Sequence, residues 1–191
     1  SASRCPPDAM MAPWKTPVKV IVCFFCCFGR SQSLQLTTKA TVQGIAPADL
    51  HAFLSTPTNW PKIVASSQSV RPTAKGNRVD KPLAVGEEVD EIFGLPPILP
   101  LSVRWVCERS EPSNGVLEFH SPDGLRGIAK DCRMKFAIES GKEENRSSSM
   151  EGSVVELKME FEPLSPIALL ATPVLTVDNA LALKVLLPRA V

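Results

Sequence analysis

Tyrosine is absent from this 191-residue chain, and histidine occurs only twice, as His51 and His120. The first absence removes a common catalytic acid, and the second excludes a multi-histidine metal site built from this chain alone. An excess of one charge is also missing. Twenty-one Lys+Arg against 20 Asp+Glu leave a formal net charge of +1, which excludes a strongly basic nucleic-acid surface, so no nucleic-acid partner is expected. No run of about 18 uncharged apolar residues occurs, and the sequence therefore predicts no ordinary transmembrane helix. No G-x-S-x-G elbow, phosphate-cradling glycine loop or dinucleotide fingerprint is present, and no cofactor is expected. What is present is apolar: 44% of residues are hydrophobic, in a length that suits one core with appendages.

Residues 1–33 read as a targeting or disordered leader. Lys15 and Lys19 precede the apolar run Val20 to Phe28 and then Gly29, the pattern of a secretory signal peptide. The expected route is secretory, with a plastid as the alternative. This segment carries a formal charge of +3 and the remainder −2. Cys23, Cys26 and Cys27 form C-x-x-C-C, but a zinc site needs a second pair at fixed spacing, and only Cys5 is near. No metal site is expected. Cys107 and Cys132 fall at apolar positions of predicted strands and read as buried free thiols.

From Leu34 the pattern sharpens. Leu34 to Gln43 alternates apolar and polar residues with the two-residue period of a half-buried strand. Pro47-Ala48-Asp49 opens a helix with Leu50, Phe53 and Leu54 at i, i+3, i+4, and Pro57 breaks it. A second short helix carries Trp60, Ile63 and Val64. Strands follow over Val70–Lys75, Glu87–Phe93, Val103–Glu108 and Val116–Ser121, punctuated by Gly76-Asn77, Asn114-Gly115 and Asp123-Gly124. Cys132, Met134, Phe136 and Ile138 alternate with charges, as do Val155, Leu157, Met159 and Phe161. This predicts an antiparallel pair whose register sets Arg133 and Lys135 against Glu156 and Glu160. Ser165-Pro166 opens a long helix that Pro173 should kink and Pro188 should stop. Leucine and valine surround that helix, which predicts burial on most sides.

The order strand, two short helices, about six strands and a long helix is an α+β arrangement. Its residues resemble the START-like (Bet v 1-like, SRPBCC) superfamily, and within it the polyketide cyclase/dehydrase and lipid-transport families. The resemblance rests on Ala46 to Leu54 followed by Asn59-Trp60-Pro61, on Pro82 to Glu87, and on Asp178-Asn179-Ala180-Leu181, and it spans residues 34–191. It implies a helix-grip fold, in which a curved antiparallel sheet of six or seven strands wraps the C-terminal helix. It further implies an apolar cavity for a lipid, isoprenoid, quinone or similar molecule.

The strand phase names the inward residues. These are Val89, Glu91 and Phe93, then Val103, Trp105 and Cys107, then Leu117 and Phe119. The last two strands add Met134, Phe136, Leu157, Met159 and Phe161, and the C-terminal helix offers Leu175, Asp178 and Asn179. Flexible methionines and aromatic faces suit an apolar ligand, and the same residues would equally fill a solid core. Glu91 is the one inward carboxylate and the candidate acid or base of a cyclase-like enzyme. His51 and His120 read as surface residues without a nucleophile partner. The apolar loop Leu95 to Leu101 reads as a lid or as a transient membrane contact. A carrier is the first expectation, an enzyme the second and an assembly factor the third. No oligomeric state is assigned.

Overall fold

The computed structural model describes residues 33–74, 78–94, 100–141 and 152–191. The leader with its cysteine cluster, the Gly76-Asn77 turn and residues 95–99 of the apolar loop lie outside these. The chain builds β1 (Leu34–Gln43), α1 (Pro47–Ser55), a 3₁₀ turn (Pro57–Asn59) and α2 (Trp60–Ile63). It continues with β2 (Ser67–Pro72), β3 (Glu88–Phe93), β4 (Leu101–Glu111), β5 (Val116–Ser121), β6 (Ala129–Gly141) and β7 (Gly152–Pro163). The long C-terminal helix α3 (Pro166–Leu181) closes the fold.

One seven-stranded sheet has the order β1-β7-β6-β5-β4-β3-β2, with every neighbouring pair antiparallel. Strands β2 to β7 form a meander, and β1 returns along the far edge beside β7. The helix pair between β1 and β2 therefore joins the two edges of the sheet. Register shifts in β2, β4 and β6 insert bulges that bend the strands and give the sheet its curl. At the β6 bulge Asp131 adopts a left-handed φ of 47°. This is the curved sheet and C-terminal helix that the resemblance implies.

The strands form where the alternation predicts, with one shift: β2 begins at Ser67, directly after α2, and ends at Pro72. The outer charges also differ in part from expectation. Arg133 does face Glu160, but that pairing sets Lys135 against Lys158 and leaves Glu156 opposite Lys39. Antiparallel register fixed at one pair is fixed at all of them, so only one of the two expected matches can hold. Lys135 instead reaches Glu118 on β5 at 3.4 Å, and Arg104 pairs Asp90 at 2.8 Å. Gly115, between β4 and β5, has φ 63° and lies against the Ile138 carbonyl, where any Cβ would collide.

Helix α1 starts with Pro47 at its first position, where no N–H is needed, and ends before Pro57, which disfavours helical Thr56. Its buried stripe is Leu50, His51, Leu54 and Ser55. His51 is thus not a surface residue. It is 3% exposed, and its Nε2 donates to the Val116 carbonyl at 3.2 Å. The stripe is wider than Leu50 and Leu54 alone indicate, because α1 lies across β5, β6 and β7.

Helix α3 departs furthest from expectation. Leu170 is 76% exposed and Val177 67%, and Ile167, Leu169 and Val174 are also at least half exposed. The sheet covers one side of the helix only. The whole helical stretch Pro166–Ala190, 25 residues, is long and apolar enough to cross a membrane by length and composition. Asp178 and Lys184 interrupt the uncharged run, so the stretch does not stand out in the sequence as a transmembrane helix. Nor does Pro188 stop the chain's helix. A π segment over Ala182–Leu186 leads into a last turn, Leu187–Ala190, with Pro188 in its opening positions, where its missing N–H is tolerated. Ser165 takes the extended N-cap backbone at the start of α3 but makes no capping bond.

Candidate functional site

Between the sheet and α3 lies an interior cavity of about 220 Å³. Small side chains make room for it. Ala168 and Ala171 share the inner face of α3 with Leu175 and Asn179, and Ala182 at the start of the π segment continues it, so the helix spans the sheet without filling the space beneath. Trp60 and Ile63 of α2 close one side, and Leu125 and Ile128 of the β5–β6 connection close another. None of these was expected from strand phase, which speaks only for strands. The alanine spacing on α3 was the signal available for Ala168 and Ala171.

Of the sixteen residues expected to line a cavity, twelve border this one. They are Glu91 and Phe93 on β3, Val103 and Trp105 on β4, Met134 and Phe136 on β6, and Leu157, Met159 and Phe161 on β7, with Leu175, Asp178 and Asn179 on α3. Val89, Cys107, Leu117 and Phe119 do not. They point inward as their phase requires but are fully packed, with Phe119 1% exposed. The Phe119 ring meets Trp60 edge-on at 5.2 Å, and the Trp60 indole N–H donates to the Leu54 carbonyl at 2.8 Å. The helix pair thereby occupies the space over these four.

One polar cluster interrupts the apolar wall. Glu91 is 2% exposed and accepts a hydrogen bond from the Trp105 indole N–H at 2.9 Å. Burial lifts its carboxyl to about 7 and the charge of Asp178 adds to the rise, while the neighbouring Ser67 hydroxyl and the Trp105 N–H oppose it. Asp178 accepts a short hydrogen bond from the Ser66 hydroxyl. Asn179 donates from Nδ2 to the Met159 sulfur at 3.1 Å, a weak acceptor. Glu160 also borders the cavity, but its pairing with Arg133 places its side chain on the outer phase of β7.

The remaining chemistry-bearing groups lie elsewhere or are inert. Cys107 and Cys132 are free and buried, and burial pushes both thiols up to about 11. Each stays protonated and a poor nucleophile near neutral pH. His120 sits on the outer face between Glu108 at 2.8 Å and Asp131 at 2.6 Å, where it joins Arg133 in a surface ion network. Its side chain is largely covered by those partners, more than the outer phase indicated. Among the described residues no group of three His, Cys, Asp or Glu could hold a metal ion.

No family model and no curated protein matches the sequence. Solved structures do match. Major latex-like protein 151 from Panax ginseng superposes with a TM-score of 0.53 at 13% identity, covering 78% of this chain and 95% of that one. The di-domain ARO/CYC BexL, from the BE-7585A biosynthetic pathway, gives 0.55 at 15% identity, with 79% of this chain and 45% of that one. A Thalictrum norcoclaurine synthase point mutant, in complex with a transition-state analogue, gives 0.52 at 11% identity over 81% and 94%. The fold is thus the Bet v 1-like, SRPBCC-type helix grip.

Proposed function

We propose that this chain binds or carries a small apolar molecule in the cavity between sheet and α3. The observation that carries this reading is a void of about 220 Å³ whose wall is apolar apart from one polar cluster. Without an apolar occupant the wall of that space lacks dispersion partners on its inner side. An apolar occupant recovers the lost dispersion contacts, and the cluster at Glu91, Asp178 and Asn179 orients it. Native mass spectrometry of the full chain, followed by organic extraction, tests the reading. A discrete apolar mass bound near one per chain is expected. An empty protein that also binds no apolar probe would overturn it.

A second reading has one specific observation in its favour. A buried carboxyl at about 7 is poised to gain or lose a proton near neutrality, as a general acid or base requires. The norcoclaurine synthase and the ARO/CYC protein are enzymes by their names, so this fold accommodates catalysis. Against it, neither thiol is activated and neither histidine borders the cavity. Glu91→Gln separates the two readings. A carrier keeps most of its affinity for an apolar cargo, whereas an enzyme keeps binding and loses turnover.

A further inference from the structure

The groups that reach the cavity are unequally provided with hydrogen-bonding capacity. Its donors are largely committed to the protein itself. The Trp105 N–H is given to Glu91, the Ser66 O–H to Asp178, and one Asn179 N–H to the Met159 sulfur. The acceptors are in surplus. A carboxylate has roughly four lone-pair sites; the Asp178 carboxylate accepts one side-chain bond from those donors, and Glu91, once ionised above about 7, likewise accepts one. The charge balance points the same way. No Lys, Arg or His side chain is among the described residues bordering the cavity, while the acidic residues Glu91 and Asp178 enter it. Asp178 already acts electrostatically on Glu91, so a further anion beside them would meet like charge in surroundings with little water to screen it.

Resting on the binding reading above, we infer that this cavity selects small apolar molecules ending in a hydrogen-bond donor, a hydroxyl or a protonated amine, and rejects carboxylate- and phosphate-ended ones. The donor end meets the free oxygens of Glu91 and Asp178, and the apolar body lies against Met134, Phe136, Leu157 and Met159. The size of the space bounds the body. An apolar cavity of about 150 Å³ accepts a benzene ring, so one of 220 Å³ encloses a ring with a short chain.

Three probes of matched length test this: phenylbutanol, phenylbutylamine and phenylbutyrate, titrated calorimetrically into the full chain at about pH 8, above the Glu91 value of about 7, where its carboxyl is ionised. The alcohol and the amine are expected to bind, and the butyrate to bind at least about tenfold more weakly than either. A tighter amine assigns ion pairing with Asp178, and an equal or tighter alcohol assigns neutral hydrogen bonding. Asp178→Asn should narrow the gap between amine and butyrate by about tenfold, with thermal unfolding confirming that the variant is folded. Equal affinities, or a preference for the butyrate, would overturn the selectivity while leaving the carrier reading intact. Failure of all three probes, in a protein that mass spectrometry shows loaded with an apolar cargo, would likewise overturn this inference alone. Failure of all three in an empty protein would overturn both.

Discussion

The inner face of the sheet carries one continuous alternation of apolar residues, yet its two regions are built differently. Over Val89, Cys107, Leu117 and Phe119 the helix pair descends until nothing is left to fill: Leu50 and Leu54 of α1 are fully buried, Trp60 abuts Phe119, and the Leu83 N–H donates to the Ser55 carbonyl at 3.0 Å. Over Trp105, Met134, Phe136, Leu157 and Met159 the cover is α3, whose inner face sets the small Ala168 and Ala171 beside Leu175, Asp178 and Asn179. Strand chemistry is the same in both regions. What decides between solid and hollow is the size of the side chains on the covering helix, and that difference separates a stabilising core from a binding site.

Truncation in the packed region should have the largest effect. Phe119→Ala is expected to cost about 3–5 kcal/mol, because the Trp60 edge and the surrounding side chains cannot collapse into the gap. Phe136→Ala, beside an existing void, should cost clearly less. Denaturant unfolding of the two variants checks the order, and equal losses would erase the distinction between the regions.

The next effect is electrostatic. Glu91 has a folded pKa near 7 against an ordinary value of 4.5, so the folded state holds a proton that the unfolded chain has released. Stability is therefore expected to fall as pH rises from 4.5 to 7 and to level off above, by on the order of 3 kcal/mol. Glu91→Gln removes that slope, which unfolding curves across the pH window would show. A wild-type protein without the slope would place Glu91 in water instead of in the wall of a cavity.

How far the sequence revealed this contrast depends on the level. Period-two alternation placed every strand but β2, which starts three residues before the expected Val70, and set Glu91 inward, because pleating enforces side-chain direction. It could not tell Phe119 from Phe136, since both point inward and only their covering helices differ. The helix α3 was misjudged for a related reason: ringed with leucine and valine, it looked fit for burial, yet a single sheet can cover only one side. His51 was misplaced because a stripe defined by two leucines understates how much of a short helix lies flat on strands. The pairing of Ser66 with Asp178 joins residues far apart in sequence, and nothing local announces it.

Filling the hollow region should change stability less than either effect above and should abolish binding. Ala171→Phe is expected to lose affinity for phenylbutanol while staying within about 2 kcal/mol of wild type, since the ring enters existing space. Calorimetry and unfolding together decide this, and retained affinity would move the binding site elsewhere. The smallest change concerns the thiols, one in each region. Cys107 and Cys132, both pushed up to about 11, should resist alkylation in the native protein near neutral pH and react only after unfolding. Rapid native labelling of Cys132 alone would show a cavity open to water.

The most direct test reads both regions at once. Methyl-labelled protein, titrated with phenylbutanol and followed by NMR, reports on Met134 and Met159 in the hollow region and on Val89 and Leu117 in the packed one. The expected result is a saturating shift of the two methionine methyls with the valine and leucine methyls unmoved. Methionine methyls that stay still, or a shift spread evenly over both regions, would contradict the account.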